Sequence, residues 1–175
     1  SAETSKYFMK APPANILEFA ISDRVILVEG PSEYMLFEKF YETVTNHKPE
    51  TDGVNIIDVR GLSFKRYLEL SKLIGEKTAV VTDNDHDYKR HCVDKYSDYA
   101  QTNNIKIFFS QDNKQNTFEV VLYNNNRNLC NELFGNAALE YMLKNKTESA
   151  YQLLLSEKEI IVPEYTRRAI EWIKE

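Results

Sequence analysis

Arg24-Val25-Ile26-Leu27-Val28-Glu29-Gly30-Pro31-Ser32-Glu33 is the stretch on which the fold turns. Val25–Val28 is a continuous apolar, β-branched run, short and closed by Glu29-Gly30-Pro31, which reads as a strand buried on both faces. From Ser32 the period changes. Leu36, Phe37, Phe40, Tyr41 and Val44 recur at helical spacing, predicting an amphipathic helix over about 32–45.

The same alternation continues outward. Val54–Val59 predicts a second strand, closed by Gly61, and Ser63 stands as N-cap of a helix carrying Phe64, Tyr67, Leu68, Ser71 and Ile74 on one face, ended by Gly75. Thr78–Thr82 predicts a third strand, running straight into Asp83-Asn84-Asp85-His86-Asp87. A weaker helical segment covers about 89–101, and Ile105–Phe109 predicts a fourth strand. The remainder, from about 117, reads as helices, with Pro163 in the first turn of the last. Strands alternating with helices imply a mostly parallel sheet of about four strands flanked by helices, with a helical C-terminal extension. The chain divides into a lead-in at 1–24, with a Pro12-Pro13 break before apolar Ile16–Ile21, a core at 25–123 and an extension of the same domain at 124–175.

Composition narrows the class. At 175 residues and 42% hydrophobic, the chain can bury one substantial core. No apolar run approaches the roughly 20 residues needed to cross a bilayer. Ser1–Lys10 is polar, with no secretion signal's apolar core after it. Cys92 and Cys130 lack CxxC partners and read as free thiols in a reducing cytoplasm. The net charge of −5 argues against a broadly basic nucleic-acid-binding surface, unless the acids cluster around cations.

They fall where clustering is possible to test. In an open α/β sheet, ligands collect beyond the carboxyl ends of the strands. Glu29 ends the first strand, and Glu33 lies one helical turn on, able to face the same point. Asp83 and Asp85 end the third, with side chains on one side if the backbone stays extended, and Asp87 continues the alternation. An isolated Glu33 is more often a solvated helix residue, and acids after a strand are often turn and cap residues. Two acidic pairs at one sheet edge shift that balance, because unpaired carboxylates repel strongly without a cation. Hard oxygen donors in such number suit Mg2+ or Mn2+. A calcium loop starting at Asp83 fails, with Tyr88 where Gly must stand and Asp94 where Glu must stand. A zinc site from His86, His91 and Cys92 fits no familiar spacing.

Glu29-Gly30-x-x-Glu33 after one apolar strand and Asp83-x-Asp85 after another resemble the Toprim domain, a Rossmann-like fold shared by topoisomerases, primases, recombination mediators and the overcoming lysogenization defect (OLD) nucleases. More of the chain is similar to the OLD branch. Tyr7–Leu17, Val25–Glu33, the Gly61-x-Ser63-Phe64-x-x-Tyr67-Leu68 block, Val80–Asp85, Thr117-Phe118-Glu119 and Lys146-x-x-x-Ala150 resemble its successive segments, especially those of Gabija-type phage-defence nucleases.

The resemblance implies a DNA endonuclease hydrolysing phosphodiesters with two Mg2+ or Mn2+ ions. Glu29, Asp83 and Asp85 would hold one ion, Glu33 and Glu119 the second, and Asp87 would act through water. Glu29 would also serve as acid or base, and Lys146 would offset charge on the reacting phosphate. By their local sequence alone, Glu119 and Lys146 read as ordinary helix-surface charges. No GxxxxGK[ST] motif occurs, so ATP handling is expected on an N-terminal ABC-type ATPase domain outside this sequence. The implied partners are DNA, that ATPase and a helicase, with self-association through Trp172 and Ile173 of the helical tail. A topoisomerase- or primase-like module, or a non-catalytic one binding DNA or a protein, is the competing expectation.

Overall fold

The computed structural model describes residues 13–60 and 63–175. Residues 7–12 of the lead-in motif, and Gly61, lie outside the described residues.

The strands are β1 (Arg24–Val28), β2 (Val54–Asp58), β3 (Lys77–Val81) and β4 (Ile105–Phe108), parallel throughout and ordered β2-β1-β3-β4. Parallel pairing follows from composition: β1 and β3 are buried along almost their whole length, and helices cover both faces. Alternate residues face opposite layers. Ile26, Val28, Ala79 and Val81 pack with Leu36, Phe37 and Phe40 of α2 (Pro31–Thr45) and with Phe118, Leu122, Ala169 and Ile170 of the C-terminal helices. Val25, Leu27 and Val80 pack on the other side, with Tyr67 and Leu68 of α3 (Phe64–Ile74) and with Tyr96 and Tyr99.

The elements arise for local reasons. Gly75 ends α3 at φ 82°, a left-handed conformation that suits a residue without Cβ. Ser63 occupies the N-cap of α3 without a side-chain cap bond. The weak helical stretch is a π turn at Lys89–Val93 followed by a 3-10 helix at Asp94–Tyr99, and it is held down by buried Tyr96 and Tyr99. The C-terminal helices are α4 (Phe118–Asn125), α5 (Arg127–Phe134), α6 (Ala138–Lys144), α7 (Lys146–Leu155) and α8 (Glu164–Lys174). Pro163 is the N-cap of α8, one position ahead of its expected place in the first turn.

The lead-in is structured in part: Pro13–Ile21 forms α1, and Phe19 is fully buried edge-on to Tyr67 at 5.1 Å between ring centroids. A fully buried aromatic contributes about 1.5–3 kcal/mol, so α1 is part of the fold's stability. The tail is less available for self-association than its apolar residues suggested. Ile173 is fully buried, and Trp172 packs on Phe108 with Lys77 Nζ 4.7 Å above its ring.

Candidate metal centre

Parallel strands end together, so the residues after β1, β2 and β3 emerge at one edge. Four helices also begin there. Glu33 sits in the first turn of α2 and Glu119 in that of α4; Lys146 is the first residue of α7, and Tyr165 the second of α8. Thr117 sets the start of α4, its hydroxyl accepting from the Val120 N–H at 3.5 Å, and so places Glu119.

Glu29 is fixed by β3. One carboxylate oxygen accepts from the Thr82 hydroxyl at 2.5 Å and from the Asp83 N–H at 3.0 Å. The Asp83 carbonyl in turn accepts from the Cys92 thiol at 3.3 Å. Glu119 is 2% exposed, with its Oε2 2.8 Å from the Lys146 ammonium. That contact pairs a buried carboxylate with a half-exposed ammonium.

These acids sense one another. Burial, reinforced by the charges of Glu29, Glu33 and Glu119, pushes the Asp83 carboxyl up to about 9. Burial, with Glu119 and Glu29 adding to it, raises Glu33 to about 7 against the pull of its own backbone N–H. The Lys146 ammonium is held above its ordinary value: burial lowers it, but the contact with Glu119 and the charges of Asp83 and Glu33 outweigh that. Glu29, Glu33, Asp83, Glu119 and Lys146 thus share one electrostatic environment. Tyr165, raised by burial and then by Asp83 and Glu33, lies within it.

Asp85 and Asp87 stand apart. The backbone does not stay extended past Asp83: Asp85 and His86 have φ of 47° and 68°, turning the chain outward. Asp85 is exposed, 3.9 Å from the His91 ring, and Asp87 accepts from the Arg90 N–H at 3.2 Å as a local cap. Asn84 between them is 1% exposed, its amide directed at the carbonyls of Ser110, Asp112 and Gln115. Cys92 and Cys130 are free and buried.

Among the described residues, no three Asp, Glu, His or Cys side chains are arranged as they stand to hold one ion. Mutually repelling carboxylates take whatever donors are near, here a hydroxyl, a backbone N–H and an ammonium. The donor set nevertheless fits a hard divalent cation: all are carboxylates, Asp83 and Glu33 are raised by burial and then by their neighbours' charge, and buried Glu119 is countered by the Lys146 ammonium.

Sequence reasoning missed Thr82, Tyr96 and Tyr165. The Tyr96 hydroxyl is buried beside Thr82, close enough to Glu29 that this charge, after burial, raises it. As core-forming residue types, all three gave no local signal.

A four-stranded parallel sheet with carboxylates beyond β1 and β3 is the architecture of a Toprim domain. Residues 21–85 match the family model described as overcoming lysogenization defect protein-like, TOPRIM domain. The fold resembles the C-terminal region of the Xanthomonas campestris pv. campestris OLD protein, with a TM-score of 0.63 and 20% identity over 90% of this chain and 94% of that one. The C-terminal region of the Burkholderia pseudomallei OLD protein gives a TM-score of 0.59 at 17% identity, over 88% of this chain and 98% of that one. In sequence, 64 residues are 38% identical to Endonuclease GajA of Bacillus cereus (strain VD045), spanning 37% of this chain and 11% of that protein. Among the described residues no helix is long and apolar enough to cross a membrane.

Proposed function

We propose that this chain is the catalytic part of a divalent-metal-dependent DNA endonuclease. The observation that carries the reading is the group of like charges, buried Glu33 and Glu119 with half-buried Asp83, gathered beside Glu29 at the carboxyl edge of the sheet. Such a group is costly to keep unless cations or protons neutralise it. The kinship to an endonuclease and to OLD proteins supports phosphodiester hydrolysis as the chemistry.

Glu29, Asp83 and Asp85 would hold one ion, and Glu33 and Glu119 a second, with Asp87 reaching the site through water. Two such ions, when bound, polarise the phosphate and supply hydroxide at neutral pH. The protein's own groups do the positioning. Thr82 and the Asp83 N–H fix one oxygen of Glu29 and leave the other free to handle a proton. Asp85 would turn inward from its exposed position to take part. Lys146, half-exposed beside Glu119, places a full positive charge where the phosphate becomes more negative.

The catalytic core is assigned to residues 25–123, with 124–175 completing the same domain and 1–24 joining it to an N-terminal ABC-type ATPase. DNA is the substrate, and a helicase partner, self-association and a cytoplasmic role in phage defence or DNA processing complete the reading. The test is cleavage of supercoiled plasmid with Mg2+, Mn2+ or EDTA, comparing wild type with Glu29→Ala. Metal-dependent nicking by wild type and none by the variant is expected. Equal cutting by both, or cutting unaffected by EDTA, refutes the assignment.

A further inference from the structure

We propose that Arg60 grips a backbone phosphate of the DNA strand presented to Glu29. The inference rests on the nuclease reading and adds a substrate-binding residue to it.

Arg60 emerges beside the site because β2 runs level with β1. Val28 is in register with Asp58, and the Val59 N–H donates to the Val28 carbonyl at 2.9 Å. The next residue therefore comes out alongside Glu29 and Gly30, one strand spacing of about 4.8 Å away. A cleft of about 480 Å3 opens there, lined by Glu29, Gly30, Pro31, Asp58 and Arg60. The carboxylate assigned to the chemistry and the arginine thus share one cavity. Among the described residues Arg60 is its one cation.

The side chain is held ready. Its Nε donates to Asp58 Oδ2 at 3.3 Å. Asp58 is 12% exposed and Arg60 73%, so an embedded carboxylate anchors the root of the guanidinium while its head faces water. The two terminal nitrogens have no partner among the described residues, and their planar fork matches two phosphate oxygens. An exposed pair of this kind adds little to stability, so the fold itself has slight use for it.

The backbone points the same way. Arg60 has φ 51°, in the left-handed region that glycine enters without strain and arginine does not. A position that would suit glycine better holds a cation lining the same cleft as Glu29. Non-glycine residues kept in this region concentrate at functional sites. The partner chemistry follows from charge. A polyanion approaching Glu29, Asp83 and Glu33 in a chain of net charge −5 meets repulsion, and Lys146 is engaged with Glu119 rather than lining this cleft.

The experiment measures KM and kcat for a duplex oligonucleotide with Mn2+, with binding followed across a salt series, for wild type, Arg60→Gly and Arg60→Lys. Losing one charged contact should raise KM about tenfold in Arg60→Gly, with kcat little changed. The slope of log affinity against log salt should fall by about one. Melting temperature should hold or rise, since glycine relaxes the backbone, and Arg60→Lys should recover part of the lost affinity. If Arg60→Gly does not fold, Arg60→Gln carries the same KM and salt measurements. Wild-type KM and salt slope in the variant overturn the proposal, as does a fall in melting temperature with KM unmoved, which would make Arg60 a clamp for Asp58. Wild type that neither cuts nor binds DNA overturns the nuclease reading itself, a different result.

Discussion

Asp83 and Asp85 are two residues apart and live in opposite surroundings. Asp83 belongs to the inner edge with Glu29, Glu33 and Glu119, where burial and like charge hold its proton to about 9. Asp85 belongs to the outer turn at 84–88, exposed and near the His91 ring. The same side chain is half-buried among like charges in one place and exposed in the other. The divide is Asn84, buried and bonded to the neighbouring loop, with its Oδ1 accepting from the His86 N–H at 3.0 Å. A carboxylate's capacity for chemistry is thus set by the backbone turn that follows it as much as by its residue type.

The sharpest way to break the contrast is to remove one acid from each side. Asp83→Ala should bring Mn2+-dependent plasmid nicking to background, whereas Asp87→Ala should keep most of the wild-type rate. Equal losses would mean that the outer turn folds onto the substrate as fully as the inner edge.

A smaller effect is expected from the divider. Asn84→Ala leaves the Ser110, Asp112 and Gln115 carbonyls without their donor and should cost roughly 1–3 kcal/mol in thermal or chemical denaturation. Unchanged stability would show that the turn is held by other contacts.

A third effect concerns protons. Asp83 and Glu33 have folded-state values of about 9 and about 7, above the roughly 3.9–4.3 of unfolded carboxyls. Between those limits the folded chain binds more protons than the unfolded one, so without metal its stability falls as pH rises from about 4 towards 9. Mn2+ replaces the protons and should flatten the fall, with metal affinity growing as pH rises. Melting temperatures across pH in EDTA and in Mn2+ measure this. A metal-free melting temperature that climbs between pH 5 and 9 would contradict the pKa shifts.

Much of this was legible in the sequence. Short β-branched runs ending in Gly, Pro or Asp mark strands on physical grounds, and β1 to β4 fall within a residue or so of where those runs place them. Glu29, Glu33 and Asp83 were readable from strand ends and one helical turn. Glu119 and Lys146 were not, because a carboxylate or ammonium in a first turn looks the same whether it faces solvent or core; only resemblance singled them out. The departure at Asp85 turns on two consecutive left-handed residues, Asp85 and His86, neither of them glycine. Their conformation depends on Asn84 reaching a loop 26 to 31 residues away, which no local pattern encodes.

The four helices that begin at the site carry one more consequence, for engineering. A single residue inserted just before Glu33, Glu119, Lys146 or Tyr165 turns everything after it by about 100° and removes that side chain from its neighbours. The opposite helix ends, such as the bend at Asn46 after α2, lie away from this edge. Tags, dyes or whole grafted modules belong at those far ends, where added length leaves the working groups undisturbed.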